Sequence, residues 1–271
     1  MAKKIISAAN TSIWDNFRRI YKNRKLVLTF AKRDLNAQYS QTILGILWSI
    51  LRPIAGLIIY TLFFFVLLNV SAGELPYPIF AFCGMILWYL FSFILSRSGT
   101  SLIESQNIIK KVYFPKMVMP ISKVLVALAE FAISLLVLFT LMFYWNIYPD
   151  EKLLLLPIIV LANVLTGLSI GIWLSALTIR YRDFHHIIPY LVNFGIFLTP
   201  IFYPATLIPE EYFYLVYFNP MAANVEFFRW ALLDTAMPSV NFMYSYIPVS
   251  VLLITGCIYF MRMENKIADI L

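Results

Sequence analysis

Glu130 is the clearest place to look for chemistry in this chain. It stands about three turns into an apolar run that opens near Pro120. A lone carboxylate in hydrocarbon is costly, so it must face protein or a water-filled path. Arg52, followed by Pro53, interrupts an apolar stretch that begins near Ile43. It is a candidate counter-charge for Glu130, or else an interfacial arginine marking the inner boundary of that stretch. Beyond these two, the sequence holds no convergent carboxylate pair and no nucleophile–base set of the kind a transferase needs. It has no G-x-x-x-x-G-K-[ST] phosphate loop, so ATP binding of that type is not expected. His185 and His186 are adjacent, which sends them to different helix faces and spaces them poorly for a metal; a plain interfacial pair fits them better. Cys83 and Cys257 lie inside apolar runs and suggest neither a disulfide framework nor a metal site. No catalytic residue, no metal centre and no bound cofactor are expected in this chain.

The elements that carry these residues are long and apolar. Runs at 54–70 (opening near 43), 77–96, 121–145, 153–179, 187–203 and 246–261 read as membrane crossings of about 20 residues each. Six such runs and their short loops use up most of the 271 residues, leaving one domain over 1–271. The hydrophobic share is 61% and charged residues only 13%, more apolar surface than a soluble domain can hide. Of the 21 Lys and Arg, 19 fall in alternate flanking segments: the arm up to Arg52, the stretch from Arg97 to Lys123, Arg180 with Arg182, and the tail with Arg262 and Lys266. Lys152 and Arg229 fall on the other side, among Glu74, Asp150, Glu151, Glu210, Glu211, Glu226 and Asp234. Basic flanks stay in the cytoplasm, so the pattern predicts six transmembrane helices with both termini cytoplasmic. The same sidedness accounts for the net charge of +7 without a nucleic-acid partner. Lys3 and Lys4 are not closely followed by an apolar stretch of signal-peptide length.

Three segments outside the runs stand out. Residues 12–39 predict a basic amphipathic helix on the inner membrane surface, with a capping-box-like start at Ser12 and Asp15. Ile13, Phe17, Ile20 and Tyr21 share one face, with Asp15, Arg18, Arg19 and Lys22 opposite. The 105–116 loop carries Ile108, Ile109, Val112, Tyr113 and Phe114 between Lys110, Lys111 and Pro115. That many apolar side chains on an exposed loop need cover from lipid or another protein, and a partner surface is favoured over a simple turn. After Thr199-Pro200 come short helical pieces at 205–235, too short to span and too apolar for free loops. They fit re-entrant or interfacial segments covered by protein or lining a cavity, or an aromatic belt at the membrane interface. Phe202, Tyr203, Tyr212, Tyr214, Tyr217 and Phe218 cluster there, and such rings suit the apolar faces of sugars.

Taken in order, several short stretches resemble one family. They are Arg33-Asp34-Leu35, the run from Gln38 to Trp48, Arg52-Pro53, Ile109 to Pro115, and Arg180-Tyr181-Arg182-Asp183 ahead of Pro189. Thr199 to Pro204, Asn219-Pro220-Met221 and Arg229-Trp230 complete the set. The chain resembles the membrane subunit of ABC-2 type polysaccharide exporters, which include permeases for O-antigen, capsule and teichoic acid. The resemblance implies an all-α, type V exporter-like transmembrane domain that forms a homodimeric pore in the bacterial inner membrane. It implies two copies of a separate ABC ATPase, which would hold ATP and Mg. Phe17, Arg18, Arg19, Ile20 and Tyr21 of the arm, and residues 108–115 as a coupling helix, would dock on that ATPase. The 205–235 pieces would be gate helices at the exit, and the first and fifth spans would border the path. The cargo would be a long glycan on a polyprenyl pyrophosphate or similar lipid, with Arg52, Arg180 and Arg182 placed to attract the pyrophosphate. Export of a small lipid or drug, and membrane-embedded glycan transfer, are the competing functions.

Overall fold

The computed structural model describes the backbone of residues 13–270 and the side chains of 18–264. Ser12, Lys3 and Lys4 lie outside the described residues, as do the side chains of Ile13, Asp15 and Phe17. Every regular element among the described residues is helical. The arm forms two helices rather than one, α1 (Ile13–Lys22) and α2 (Arg24–Tyr39). Between them Asn23 donates its side-chain amide back to the Arg19 carbonyl at 2.7 Å, a local bond that competes with helix continuation.

The first span starts with a 3₁₀ turn at Gly45–Leu47 and continues through α3 (Trp48–Tyr60). Pro53 sits inside α3, so the expected interruption at Arg52-Pro53 does not end the helix. The span changes character later, where Thr61–Leu67 widens into π turns closed by the Leu68 amide on the Phe63 carbonyl at 3.1 Å. Next come α4 (Tyr77–Glu104), the one-turn α5 (Gln106–Ile109) and α6 (Val118–Tyr144). Then follow α7 (Leu156–Arg180) and α8 (Phe184–Leu198). The outer segment holds α9 (Phe213–Tyr217) and α10 (Pro220–Leu233), and α11 (Tyr246–Ile270) closes the chain.

Among the described residues five helices are long and apolar enough to cross a membrane: Gly45–Leu67, Tyr77–Glu104, Val118–Tyr144, Glu151–Arg180 and Val240–Glu264. The fifth run of the sequence becomes the shorter α8 of 15 residues. At 1.5 Å per residue it reaches about 22 Å, less than a hydrocarbon core of about 30 Å. It stops at Thr199-Pro200, so residues 199–203 form a turn rather than the end of a span.

The bundle is built around α4. Its middle turns are buried on all sides, against α6, α7, α8 and α10. Water release does not drive helix association inside lipid, so close packing must. Gly167 and Gly171 of α7 supply it. A Cβ at Gly167 would lie 3.0 Å from the Ile94 Cβ, and one at Gly171 would lie 2.9 Å from the Ser98 Cβ. The two glycines, four residues apart, thus let the α7 backbone meet α4 directly. On its other face α7 meets α11, where Trp173 donates its indole N–H to the Leu252 carbonyl at 3.0 Å.

Candidate functional site

Helix α2 does not simply lie on the membrane surface; it packs along the first turns of α6. Phe30, Asp34 and Gln38 recur at four-residue spacing and therefore share one face. The Phe30 ring meets Phe114, centroids 5.5 Å apart, just ahead of α6. One turn on, Asp34 Oδ2 accepts from Lys123 Nζ at 2.8 Å. One turn further, Gln38 and Tyr39 both donate to Glu130 Oε1, Tyr39 at 3.1 Å. The Tyr39 hydroxyl also lies 2.5 Å from that of Ser49, which ties the end of α2 to the first span. Burial first, and then the Glu130 charge, raise the Tyr39 phenol above its ordinary pKa, outweighing the Ser49 bond. It therefore stays a proton donor at neutral pH.

These contacts overturn the expected Glu130–Arg52 pair. Among the described residues Arg52 has no carboxylate within 4.0 Å, and it lies over the Trp48 ring instead. Both residues nevertheless line one cavity of about 790 Å³ between α2, α3, α4 and α6. Its charges are mostly compensated. Buried Lys123 bridges Asp34 and, at 3.6 Å, Glu104. Glu104 also accepts from Thr100 at 2.7 Å and has Arg97 at 3.9 Å. Arg52 is thus the cavity cation without an acidic partner among the described residues. The Asp34–Lys123–Glu104 network escaped the sequence reading because Lys123 counted only as a topology marker. The signal was present in the four-residue step from Asp34 to Gln38 and the seven-residue step from Lys123 to Glu130, each of which defines one helix face.

The 105–116 loop divides into two halves. Ile109 and Phe114 are buried in a cluster with Val27 and Phe30, and Pro115 is buried too. This corrects the expectation that they await a partner: α2 covers them. Ile108 is half-buried, and Lys110, Lys111, Val112 (56% exposed) and Tyr113 (63%) face outward. The Tyr113 hydroxyl accepts from Arg19 at 3.1 Å, so arm and loop form one continuous surface with Arg18 and Tyr21 exposed beside it and Ile20 half-buried. The loop's far end is pinned by the Lys116 amide donating to Glu264 of α11 at 2.8 Å.

Arg180 at the end of α7, Arg182 in the connecting turn, and His185 and His186 in the first turn of α8 all lie exposed. They do not line the cavity that holds Arg52, so this chain does not gather the three arginines into one pocket.

At the opposite end, Phe202 is wholly buried and stacks on Tyr60 at 4.0 Å, so it offers no face to a passing ligand as expected of it. Tyr203 is half-buried, its hydroxyl donating to the Phe197 carbonyl at 2.9 Å. Tyr217 packs edge-on against Phe242, centroids 5.1 Å apart. Tyr212, Tyr214 and Phe218 remain exposed. Helix α10 is a core element rather than an exposed flap. Asn219 caps it, accepting from the Met221 amide at 2.9 Å, and Pro220 opens its first turn. Its Arg229, 1% exposed, stood in the sequence as an outer-side charge and as part of the Arg229-Trp230 stretch, with no sign of its burial.

The arrangement offers an exposed basic and apolar face, a polar cavity and an aromatic far rim, with no metal-binding cluster among the described residues. Comparison with known proteins matches this layout to a family. The profile described as "ABC-2 type transporter" matches residues 25–233. The O-antigen export system permease protein RfbA of Myxococcus xanthus is 28% identical over 239 residues, 88% of this chain and 91% of that protein. A Klebsiella pneumoniae protein of the same name is 27% identical over 91% of this chain and 95% of its own length. The polysialic acid transport protein KpsM of Escherichia coli is 27% identical over 74% of this chain and 78% of its own. A multi-pass helical bundle matched over most of its length, this chain belongs to the ABC-2 type transporter membrane family.

Proposed function

We propose that this chain is the permease subunit of an ATP-driven exporter of lipid-linked polysaccharide, with O-antigen as the nearest description of the cargo. The observation that carries this reading is the end-to-end likeness to O-antigen export permeases, which reaches about nine-tenths of both chains. The structure supports it through the exposed face of Arg18, Arg19, Lys110, Lys111, Val112 and Tyr113, a basic and apolar patch suited to an acidic-rimmed cleft on a separate ATPase. In this reading residues 1–271 are one transmembrane domain in the inner membrane, with both termini cytoplasmic. Two copies form the pore and two ATPase subunits supply ATP and Mg. Arg52, exposed in the cavity and without an acidic partner among the described residues, is the group placed to meet an anionic lipid headgroup. The shorter likeness to a polysialic acid transport protein favours capsule as the second cargo reading.

The test is affinity purification of the chain from native membranes. A phosphate-loop ATPase should co-purify, and the Val112→Asp/Tyr113→Asp double variant should lose it while staying folded. Turnover of a glycan substrate by the purified chain alone would instead establish a transferase and end the exporter reading.

A further inference from the structure

The end of α8 and the turn after it have an unusual property: the five consecutive carbonyls from Leu198 to Phe202 are all taken. The Thr199 carbonyl accepts from the Ile201 amide at 2.7 Å, and the other four are bound by side chains of α4 and α10. Asn219 donates to the Leu198 carbonyl at 3.2 Å, and the Tyr77 hydroxyl to that of Phe202 at 2.7 Å. Arg229 takes the two between, Nη1 donating to Pro200 at 2.8 Å and Nη2 to Ile201 at 2.6 Å. The same guanidinium donates to the Phe80 carbonyl of α4 at 3.2 Å, lies 3.5 Å from the Phe80 ring centroid and pairs with Glu226 at 3.1 Å. Gly84 makes the room; a Cβ there would sit 3.1 Å from Arg229 Nη2.

Stabilising α10 alone would need no such fork. Arg229 ties three elements at once: α10 that carries it, the turn that ends α8, and the outer half of α4. We infer that Arg229 is a positioning residue for export: it fastens the 198–202 turn and α10 to α4, so that this side of the outer mouth moves as one body. The turn leads directly to the exposed Tyr212, Tyr214 and Phe218, so its placement sets theirs. The inference rests on the exporter reading for what crosses the mouth, but not for the fastening itself. A lysine keeps the charge for Glu226, but its single ammonium cannot span the Pro200, Ile201 and Phe80 carbonyls as a planar fork does.

Cys83 provides a native reporter, since it is wholly buried on α4 immediately before Gly84. In a Cys257→Ser background it is the one remaining thiol. The experiment uses the full chain with its co-purifying ATPase in native membranes. It reads the rate of N-ethylmaleimide labelling of Cys83, and surface glycan appearing per ATP hydrolysed. Arg229→Lys should assemble, raise Cys83 labelling about twentyfold and lower glycan export per ATP about twentyfold, the scale of one lost charged hydrogen bond. Arg229→Met should shift both further in the same directions. Tyr77→Phe, which frees only the Phe202 carbonyl, should shift both about twofold. Wild-type labelling and export in Arg229→Lys overturn the inference. So does failure of both arginine variants to assemble combined with wild-type behaviour of Tyr77→Phe, because Arg229 would then serve folding alone. If Arg229→Lys unmasks Cys83 but the unsubstituted complex exports no glycan, the fastening stands and the exporter reading falls.

Discussion

Buried charges in this chain work in groups, and their members come from different elements. Lys123 is buried between Asp34 and Glu104, so removing Asp34 leaves it only the longer 3.6 Å contact to Glu104. Asp34→Asn should lower stability by about 1–3 kcal/mol, the scale of one charged hydrogen bond lost in a pair that keeps Glu104; thermal unfolding in detergent measures it. Glu130 gives a graded case. Glu130→Gln keeps an acceptor for Tyr39 and should unfold near the wild-type temperature. Glu130→Ala leaves the Gln38 amide and the Tyr39 hydroxyl without that acceptor and should cost about 1–3 kcal/mol in the same measurement. Glu130 was legible in the sequence because a carboxylate in an apolar run must find a partner. The identity of that partner was not, because Gln38 is 92 residues away on a helix that the sequence assigned to the membrane surface. Arg52 was nearer to hand only because it, too, lay within an apolar run.

At the scale of elements, the sequence located the core of each apolar helix, because hydropathy and breaker residues are local signals, but it ended α4 eight residues early and α8 five residues late. It missed how helices cover one another. The 105–116 loop shows the consequence. Its apolar residues were read as one exposed set, yet α2 buries Ile109 and Phe114 and leaves Val112 and Tyr113 outside. The two pairs should respond differently to charge. Val112→Asp/Tyr113→Asp should abolish ATPase co-purification at unchanged thermal stability. Phe114→Asp should destabilise the chain itself, by several kcal/mol for a charge buried without a partner, seen as a lowered unfolding temperature before any partner is added. The α4–α7 contact gives a second expectation. Gly171→Val would force side-chain atoms into the Ser98 position and should cost about 1–3 kcal/mol through overpacking, read as a lowered unfolding temperature.

For the molecule as a whole, the distribution of lysine and arginine predicts an orientation for the bundle. Thiols introduced beside Lys111 and Arg182 should resist impermeant reagents applied to intact cells, and those beside Glu74 and Glu211 should react. The opposite pattern would invert the orientation and with it the docking face. One helix spans both faces. At 28 residues, α4 is a rod of about 42 Å, longer than the hydrocarbon core is thick. Phe80, near one tip, is gripped by Arg229, while Glu104 at the other tip is held by Lys123. A stiff seesaw pivoting on the glycine pair of α7 cannot dip at one end without lifting at the other. Spin labels at the two ends, each ranged against α11 during ATP turnover, should record excursions that are synchronous and opposite in sign.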